Sequence, residues 1–535
     1  MKAPKREIEI QLLAPKPEAL GDLPRVLRKA CRRVTEEGVS QIRDVYLDTQ
    51  DLRLLRAGLA CRVRSSRSGL ELGLKTLRPV RRGLASRAEL TERVSPGKAL
   101  SPDSLPDGDV ASVLRPLLGK TKLRELFHVR QSRRGYMVML PSRLRALVSA
   151  DRVEIVAGDE RASVTMLEIE LLEGRPKVLR ALGEKIRKRL GLTESRESKF
   201  ERGLRLAGVG LPVPPDAGDV RLEAADRLGD VAARIVAHHF SVLLWNEAGV
   251  KVGLDPAYLH DMRVAARRIR EAFSLFRDAW VPERTRVLRS DLERLSAALG
   301  RVRDIDVHLR ILDEDVCAGP ALAPGVEAVR LTLQAQREHA RKAMLRVLRA
   351  GRYQSLVRRI DGFLEGVAER RFRRPMAQRP VVSHGFALVE RRLRKVLKAG
   401  RAIGARAADN DLHRLRIRCK RLRYACEFLA GLYGGPARKM ARRVTVLQDI
   451  LGDHHDTVVA MAKLELIGET LGAQPGERHV SRAIERMLAC HARRTAETRR
   501  AFSKAWKEFD RPKVRKPLCT RMQALANSGG TDAAG

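Results

Sequence analysis

Two stretches of the chain, 153 residues apart, carry the same pattern of charges. LHDMRVAARRIR (259–270) is matched by LHRLRIRCKRLR (412–423). His260 aligns with His413, Arg263 with Arg416, Arg267 with Lys420, Arg268 with Arg421 and Arg270 with Arg423. Downstream, ALGRVRDIDV (298–307) answers ILGDHHDTVV (450–459), with Gly300 over Gly452 and Asp304 over Asp456 at an offset of 152. A register held to within one residue over such distances predicts a duplicated structural unit.

Stepping about 100° per residue, His260, Arg263, Arg267 and Arg270 fall on one stripe of a helix. Met262, Ala265, Ala266, Ile269, Phe273 and Phe276 form an apolar stripe opposite. The second copy sets His413, Arg416, Lys420 and Arg423 against Leu415, Cys419, Leu422, Cys426 and Leu429. Most charged stripes are simply solvated helix faces. This one is almost purely cationic, lacks the acids that i,i+4 pairing favours, and places a histidine at the same point twice. The expectation is an anion site: two such helices would line a trough roughly 15 Å long. Arginine forks would grip phosphate oxygens bidentately. His454, His455 and Asp456 look like metal ligands, but the first copy has Val302 and Arg303 at the histidine positions. Only the acid recurs, which predicts a structural role for Asp304 and Asp456.

Charge supports this. The chain has 106 Lys+Arg against 65 Asp+Glu, a net +41. Residues 1–220 hold 44 basic and 29 acidic residues, net +15; residues 221–535 hold 62 and 36, net +26. Such an excess calls for a polyanionic partner: nucleic acid, an anionic membrane surface or free polyphosphate. Aromatics at 4% are too sparse for the stacking platforms of single-strand binders, and zinc-finger spacing and a basic region leading into heptads are both missing. Cys31, Cys61, Cys317, Cys419, Cys426, Cys490 and Cys519 are odd in number and irregularly spaced, without a CxxC pair. That pattern predicts reduced thiols in a cytosolic protein. No apolar run suggests a signal peptide or a membrane span, so a soluble cytoplasmic protein is expected.

The first 205 residues read differently. EIEIQLL, DVYLDT, ACRVRS, LELGLKT, YMVML and TMLEIELL are short β-rich runs, and Pro176–Leu190 has helical period. GVGLPVPPDAGD (208–219) is a Gly/Pro-rich linker, so the architecture changes across residues 206–222. On the strands, Glu7, Glu9 and Gln11 share one face, as do Arg62 with Arg64 and Glu168 with Glu170. Each alone fits a half-buried strand with its polar face in water. Together they fit a closed barrel with a polar lumen, where hard-cation ligands and phosphate-binding cations meet.

Both halves resemble known families. The segment carrying Glu7/Glu9, YLDTQDLRLLRAGLACRVR (46–64), Lys75, Arg87/Glu89, Glu168/Glu170 and SKFERG (198–203) resembles the CYTH, or triphosphate tunnel metalloenzyme, family. The repeated H-x-x-R helix, each copy followed by LG-x-x-x-D, resembles the CHAD family over about residues 225–510. The resemblance implies an α+β chain. An antiparallel eight-stranded β-tunnel with flanking helices fills 1–205, a linker 206–222, and an all-α domain of two pseudo-symmetric bundles 223–515. The bundles span about 225–370 and 380–510, and a disordered tail follows at 516–535. It further implies Mg²⁺ or Mn²⁺ on Glu7, Glu9, Glu168 and Glu170, and catalysis by Glu7, Glu9 and Lys75. Arg62, Arg64, Arg87, Arg130, Lys199 and Arg202 would hold a triphosphate. His260, Arg263, Arg267, Arg270, His413, Arg416, Lys420 and Arg423 would hold inorganic polyphosphate, in the cytoplasm at polyphosphate granules. One position departs from the family pattern. Gln11 replaces the lysine of E-x-E-x-K, which predicts a weakened phosphate contact and weaker transition-state stabilisation. Hydrolysis of triphosphate or short polyphosphate is the leading expectation. A non-catalytic granule scaffold is the alternative, and non-specific nucleic-acid binding a more distant one.

Overall fold

The computed structural model describes residues 4–531 except 79, 81, 82, 96–101, 142, 211–219, 315–321, 370–373, 405, 406 and 472–477. The chain divides into two compact units, Met1–Pro214 with Glu247–Tyr258, and Pro215–Asn246 with Leu259–Gly535.

The first unit is built on strands β1 (Lys5–Leu13), β2 (Arg33–Asp48), β3 (Leu59–Ser66), β4 (Gly69–Thr76), β5 (Ala85–Arg93), β6 (Arg124–Met139), β7 (Arg145–Ala157), β8 (Glu160–Glu173) and β9 (Thr193–Glu194). Their order is β5-β4-β3-β2-β6-β7-β8-β1-β9, and a further β5–β1 pairing closes eight of them into an antiparallel barrel. The short β9 is an addition, pairing with the end of β1 through Leu12 and Leu13. Closure satisfies the backbone groups that an open edge would expose.

The period of two in β1 decides which side chains enter the lumen. Ile10 and Leu12 point outward into a core with Leu23 and Leu27 of α1 (Leu23–Ala30) and Leu179, Leu182 and Ile186 of α4 (Pro176–Leu190). That leaves Glu7, Glu9 and Gln11 facing inward. On β8, Leu167 and Ile169 join the same outer core, so Glu168 and Glu170 face the lumen. Outside β3 and β4, Cys61, Leu72 and Leu74 pack with Val110, Leu114 and Leu118 of α3 (Asp109–Leu118). Leu54 of the single-turn α2 (Arg53–Arg56) belongs to that cluster. One end of the barrel holds a further cluster, in which Phe200 and Leu204 of α5 (Lys199–Leu206) meet Tyr46 and Phe127.

The rest of the chain is largely helical: α6 (Leu228–Val252), α7 (Pro256–Leu275), α8 (Pro282–Glu314), α9 (Ala323–Arg349), α10 (Gly351–Ala368), α11 (Val381–Arg401), α12 (Asp409–Phe428), α13 (Ala430–Leu471), α14 (Arg478–Phe509) and α15 (Pro512–Thr531). The duplicated motifs fall on α7–α8 and on α12–α13, and helix α13 kinks at Gly434, whose φ of 55° only glycine adopts readily.

Two expectations change, and others are not tested. Most of the linker (211–219) and Cys317 lie outside the described residues. The expected tail continues as α15 to Thr531, because Met522 and Ala526 find buried positions that tie it down. The thiols are not all reduced either: Cys490 is disulfide-bonded, while Cys31, Cys61, Cys419, Cys426 and Cys519 are free. Spacing alone could not show that pairing. No helix of the described residues is long and apolar enough to cross a membrane.

Candidate functional site

The barrel encloses a cavity of about 310 Å³ whose lining includes Glu7, Glu9, Gln11, Arg62, Arg64, Lys75, Arg87, Glu168, Glu170 and Lys199. The strands therefore bring together all but two of the residues expected there. Arg130 is on the outer face, 60% exposed and 3.8 Å from Glu154. Its neighbours on β6 explain why: Val129 is core and Gln131 is buried, so the alternation turns Arg130 outward. Arg202 is also outside the lining, reaching toward Ser195 Oγ at 3.5 Å.

Lys5, Glu71, Glu89 and Arg133 also line the cavity. The first three share strand parity with Glu7, Lys75 and Arg87, a signal already present in the sequence. Arg133 and the acids behind the cations were less legible. Asp44 is buried and takes both arms of Arg64, at 2.7 and 2.8 Å, with Arg62 at 3.5 Å. Asp151, fully buried, accepts from Arg133 at 2.8 and 2.6 Å and from the Lys199 ammonium. These acids fix the cationic wall in place.

The carboxylates interlock with that wall. Lys75 pairs with Glu7 and lies 3.5 Å from Glu9, and Arg87 lies 3.3 Å from Glu9. Arg133 and Lys199 hold Glu168, and Lys5 holds Glu170 at 3.0 Å. Gln11 has an unexpected place: its Nε2 donates to Glu9 Oε1 and to Glu168 Oε1, each at 3.2 Å. The amide bridges the two carboxylates and holds them side by side without neutralising either.

The charge balance differs from one carboxylate to the next. Burial pushes the Glu9 carboxyl up to about 7 against the pull of Lys75 and Arg87, with Glu7 and Glu168 adding to the rise. Burial opposes ionisation of Glu168 too, but Lys199, Arg133 and Lys75 outweigh it and hold that carboxyl well below the usual range. Two buried carboxylates a few ångströms apart, pushed in opposite directions, are the arrangement that separates an acid from a base.

The SKFERG segment shows how one short motif closes the barrel. Ser198 caps α5 in a capping box with Glu201. Lys199 then projects inward to Gln131 Oε1 at 2.7 Å and to Glu168 at 3.2 Å. Phe200 packs on Tyr46 and Phe127, with centroids 5.2 and 5.9 Å apart. Gly203 leaves room for Phe127, whose ring would lie 2.0 Å from any Cβ there.

In the helical unit, the repeat carries a shared piece of geometry. Arg263 reaches Asp304 at 3.1 Å, and its repeat mate Arg416 reaches Asp456 at 3.6 Å. A Cβ on Gly300 or Gly452 would lie 3.7 Å from the arginine of its own copy. The recurring LG-x-x-x-D element thus seats and pairs the recurring arginine. Arg270 pairs with Glu293 at 2.9 Å and Arg423 with Glu427 at 3.4 Å. Among the described residues, Arg267 and Lys420 have no carboxylate partner.

The two copies meet. Arg267, Arg268 and Arg423 all lie over the Tyr424 ring, at 5.9, 5.3 and 5.1 Å. Burial, then Arg267, Arg416 and Arg263, push the Lys420 ammonium down to about 6. Nε of Arg267 and of Arg416 is buried without a hydrogen-bond acceptor among the described residues. His413 Nδ1 lies 3.0 Å from His455 Nδ1, while burial and the charge of Arg303 lower the pKa of His260. Among the described residues this cluster leaves buried guanidinium donors without acceptors, which costs free energy.

A barrel with a charged lumen followed by a duplicated basic helical region defines a two-module architecture. The CYTH domain family model matches residues 5–204 and the CHAD domain model residues 234–465, so the chain is a CYTH–CHAD two-domain protein. Two curated Mycobacterium tuberculosis relatives, MT2285 and Rv2226, both uncharacterised, are 33% identical over 238 residues. That match covers 42% of this chain and 42% of each relative. The crystal structure of the CHAD domain from the plant Ricinus communis is 27% identical, covering 55% of this chain and 96% of its own, at a TM-score of 0.46. HpAC1 from Hippeastrum, described as having a dominant triphosphatase activity, is 22% identical, covering 38% of this chain and 98% of its own, at 0.30.

Proposed function

We propose that the protein binds inorganic polyphosphate through its helical unit and hydrolyses triphosphate or short polyphosphate in its tunnel. The observation carrying the first part is that Arg267 and Lys420, repeat mates set among Arg263, Arg416 and Tyr424, have no carboxylate partner among the described residues. A linear polyanion would supply the acceptors that these donors lack. A binding assay on the full chain tests it. Arg267→Ala with Lys420→Ala should weaken polyphosphate binding by tenfold or more and lower the salt slope by about one to two. Unchanged affinity would sink the reading. Nucleic acid that displaced polyphosphate at equal phosphate concentration would favour charge-driven nucleic-acid binding.

The second part rests on the lumen, which holds acids and phosphate-binding cations within one closed barrel. The lining glutamates form an oxygen-only donor set whose chemistry fits Mg²⁺ or Mn²⁺. Among the described residues no three acids stand at ligand spacing, since each glutamate named as a ligand is held by a cation or by Gln11. Glu7, Glu9, Glu168 and Glu170 would hold the ion, which when bound would polarise the phosphoryl oxygens. Arg62, Arg64, Lys75, Arg87, Arg133 and Lys199 would grip the phosphate chain and carry the charge that grows in the transition state. As the oxygen of a water joins the terminal phosphorus and the bridging P–O bond breaks, Glu9 would hold the proton released. Phosphate release from triphosphate, abolished by a chelator and by Glu9→Gln, is the expected result. Gln11, standing where the family pattern has lysine and bridging Glu9 and Glu168, favours a second reading, a non-catalytic granule scaffold. Absence of release with every divalent ion would establish it, and recovery in Gln11→Lys would trace the loss to that position.

A further inference from the structure

The two copies of the repeat differ at one telling place. Where the first copy has Arg303, whose fixed charge bears on His260, the second has His455 tilted against the His413 ring. The two rings stand 4.2 Å apart with an Nδ1–Nδ1 distance of 3.0 Å. At that distance one nitrogen donates and the other must accept, so the neutral pair holds one Nδ1 proton between them. A single further proton, taken at the outer nitrogen of the donor ring, leaves this bond intact. A second would set two donors against each other.

We propose that the second copy of the repeat takes up one proton, shared by His413 and His455, when it binds a phosphate chain, whereas the first copy carries its equivalent charge permanently on Arg303. The proposal rests on the polyphosphate reading above and concerns the regulation of that site.

The surroundings favour a neutral pair in the free protein. On α12, Arg416 and Lys420 face the rings and Asp409 is taken up elsewhere, and on α13 Asp456 is committed to Arg416. His454 is turned away, bonded to Asp409 at 2.9 Å and to Thr498 of α14 at 3.0 Å, with Arg499 also on Asp409. From α7 and α8, Arg263, Arg267 and Asp304 act on Arg416. Among the described residues no free acid faces the pair, so burial and the adjoining cations hold His455 down at about 4 and lower His413 as well. A bound anion reverses the sign of that field and raises both. Affinity should then rise as pH falls through the bound-state pKa and level off below the free-state value, at most tenfold per pH unit for one proton.

The test is calorimetric titration of the full chain with linear inorganic polyphosphate, without divalent metal, from pH 5 to 8 in two buffers of different ionisation heat. Near pH 6 the wild type should take up close to one proton more than His455→Arg, since any uptake by His260 is common to both. His455→Arg should lose that uptake and bind more tightly at pH 8, and Arg303→His should gain uptake in the first copy. Binding with equal uptake in wild type and His455→Arg, and no gain in Arg303→His, overturns the proposal while leaving polyphosphate binding intact. No binding at any pH overturns the polyphosphate reading itself.

Discussion

Asp151 offers the sharpest test of how the tunnel is held together. It is fully buried and accepts from both Arg133 and Lys199, the cations that also grip Glu168. Replacing it with Asn keeps the shape but removes the charge, leaving two lumen cations with Glu168 as their remaining acid. Breaking a buried ion pair from one side costs about 3–5 kcal/mol, because the abandoned charge stays desolvated. With a urea m-value of about 2 kcal/mol/M, the midpoint should fall by roughly 1.5–2.5 M. The tryptophans Trp245, Trp280 and Trp506 all lie outside the barrel strands, so the unfolding should be followed by amide exchange over β6 and β7. Adding Lys199→Met removes one stranded cation and should recover at least about 1 kcal/mol in a double-mutant cycle. A midpoint shift below about 0.3 M, or strict additivity of the two changes, would refute the view that Asp151 anchors the cationic wall.

Two further outcomes follow from the same lumen. Glu9 titrates at about 7 in the fold against an ordinary 4.5; the folded state binds this proton more tightly. Its contribution is therefore complete below pH 4.5 and lost as pH rises through 7, by about 3 kcal/mol in all. With a chelator present, a denaturation series from pH 4 to 8 should show that loss, and Glu9→Gln should flatten it. Gly203→Ala would drive a methyl into Phe127; overpacking of this kind costs about 1–3 kcal/mol, and the same exchange measurement should show α5 loosening first.

Much of the site could be read from alternation. Once β1 is a strand with Ile10 and Leu12 in the core, Glu7, Glu9 and Gln11 have to face the lumen, and the same logic delivers Arg62, Arg64, Glu168 and Glu170. The helical repeat was equally legible, because a stripe at helical period survives duplication. What the sequence hid were partners distant along the chain. Asp151 reads as an ordinary strand residue until β6, β7 and α5 converge on it. Arg130 came in only through the family resemblance, and the alternation of Val129 and Gln131 turns it outward. Gln11 looked like a lost phosphate contact, yet its amide spans two carboxylates, one of them on another strand.

The near-balance of the lumen has a consequence for selectivity. Seven basic and six acidic side chains line it, so a chain of net charge +41 encloses an interior close to neutral. An entering anion cannot simply fall into a positive well; it has to replace internal carboxylates on their own arginines and lysines, site by site. Such an exchange rewards ligands whose oxygens match several of those positions at once and rejects ions that offer charge alone. The tunnel should therefore discriminate by the spacing of phosphates, and sulfate or chloride at many times the ligand concentration should compete poorly for it.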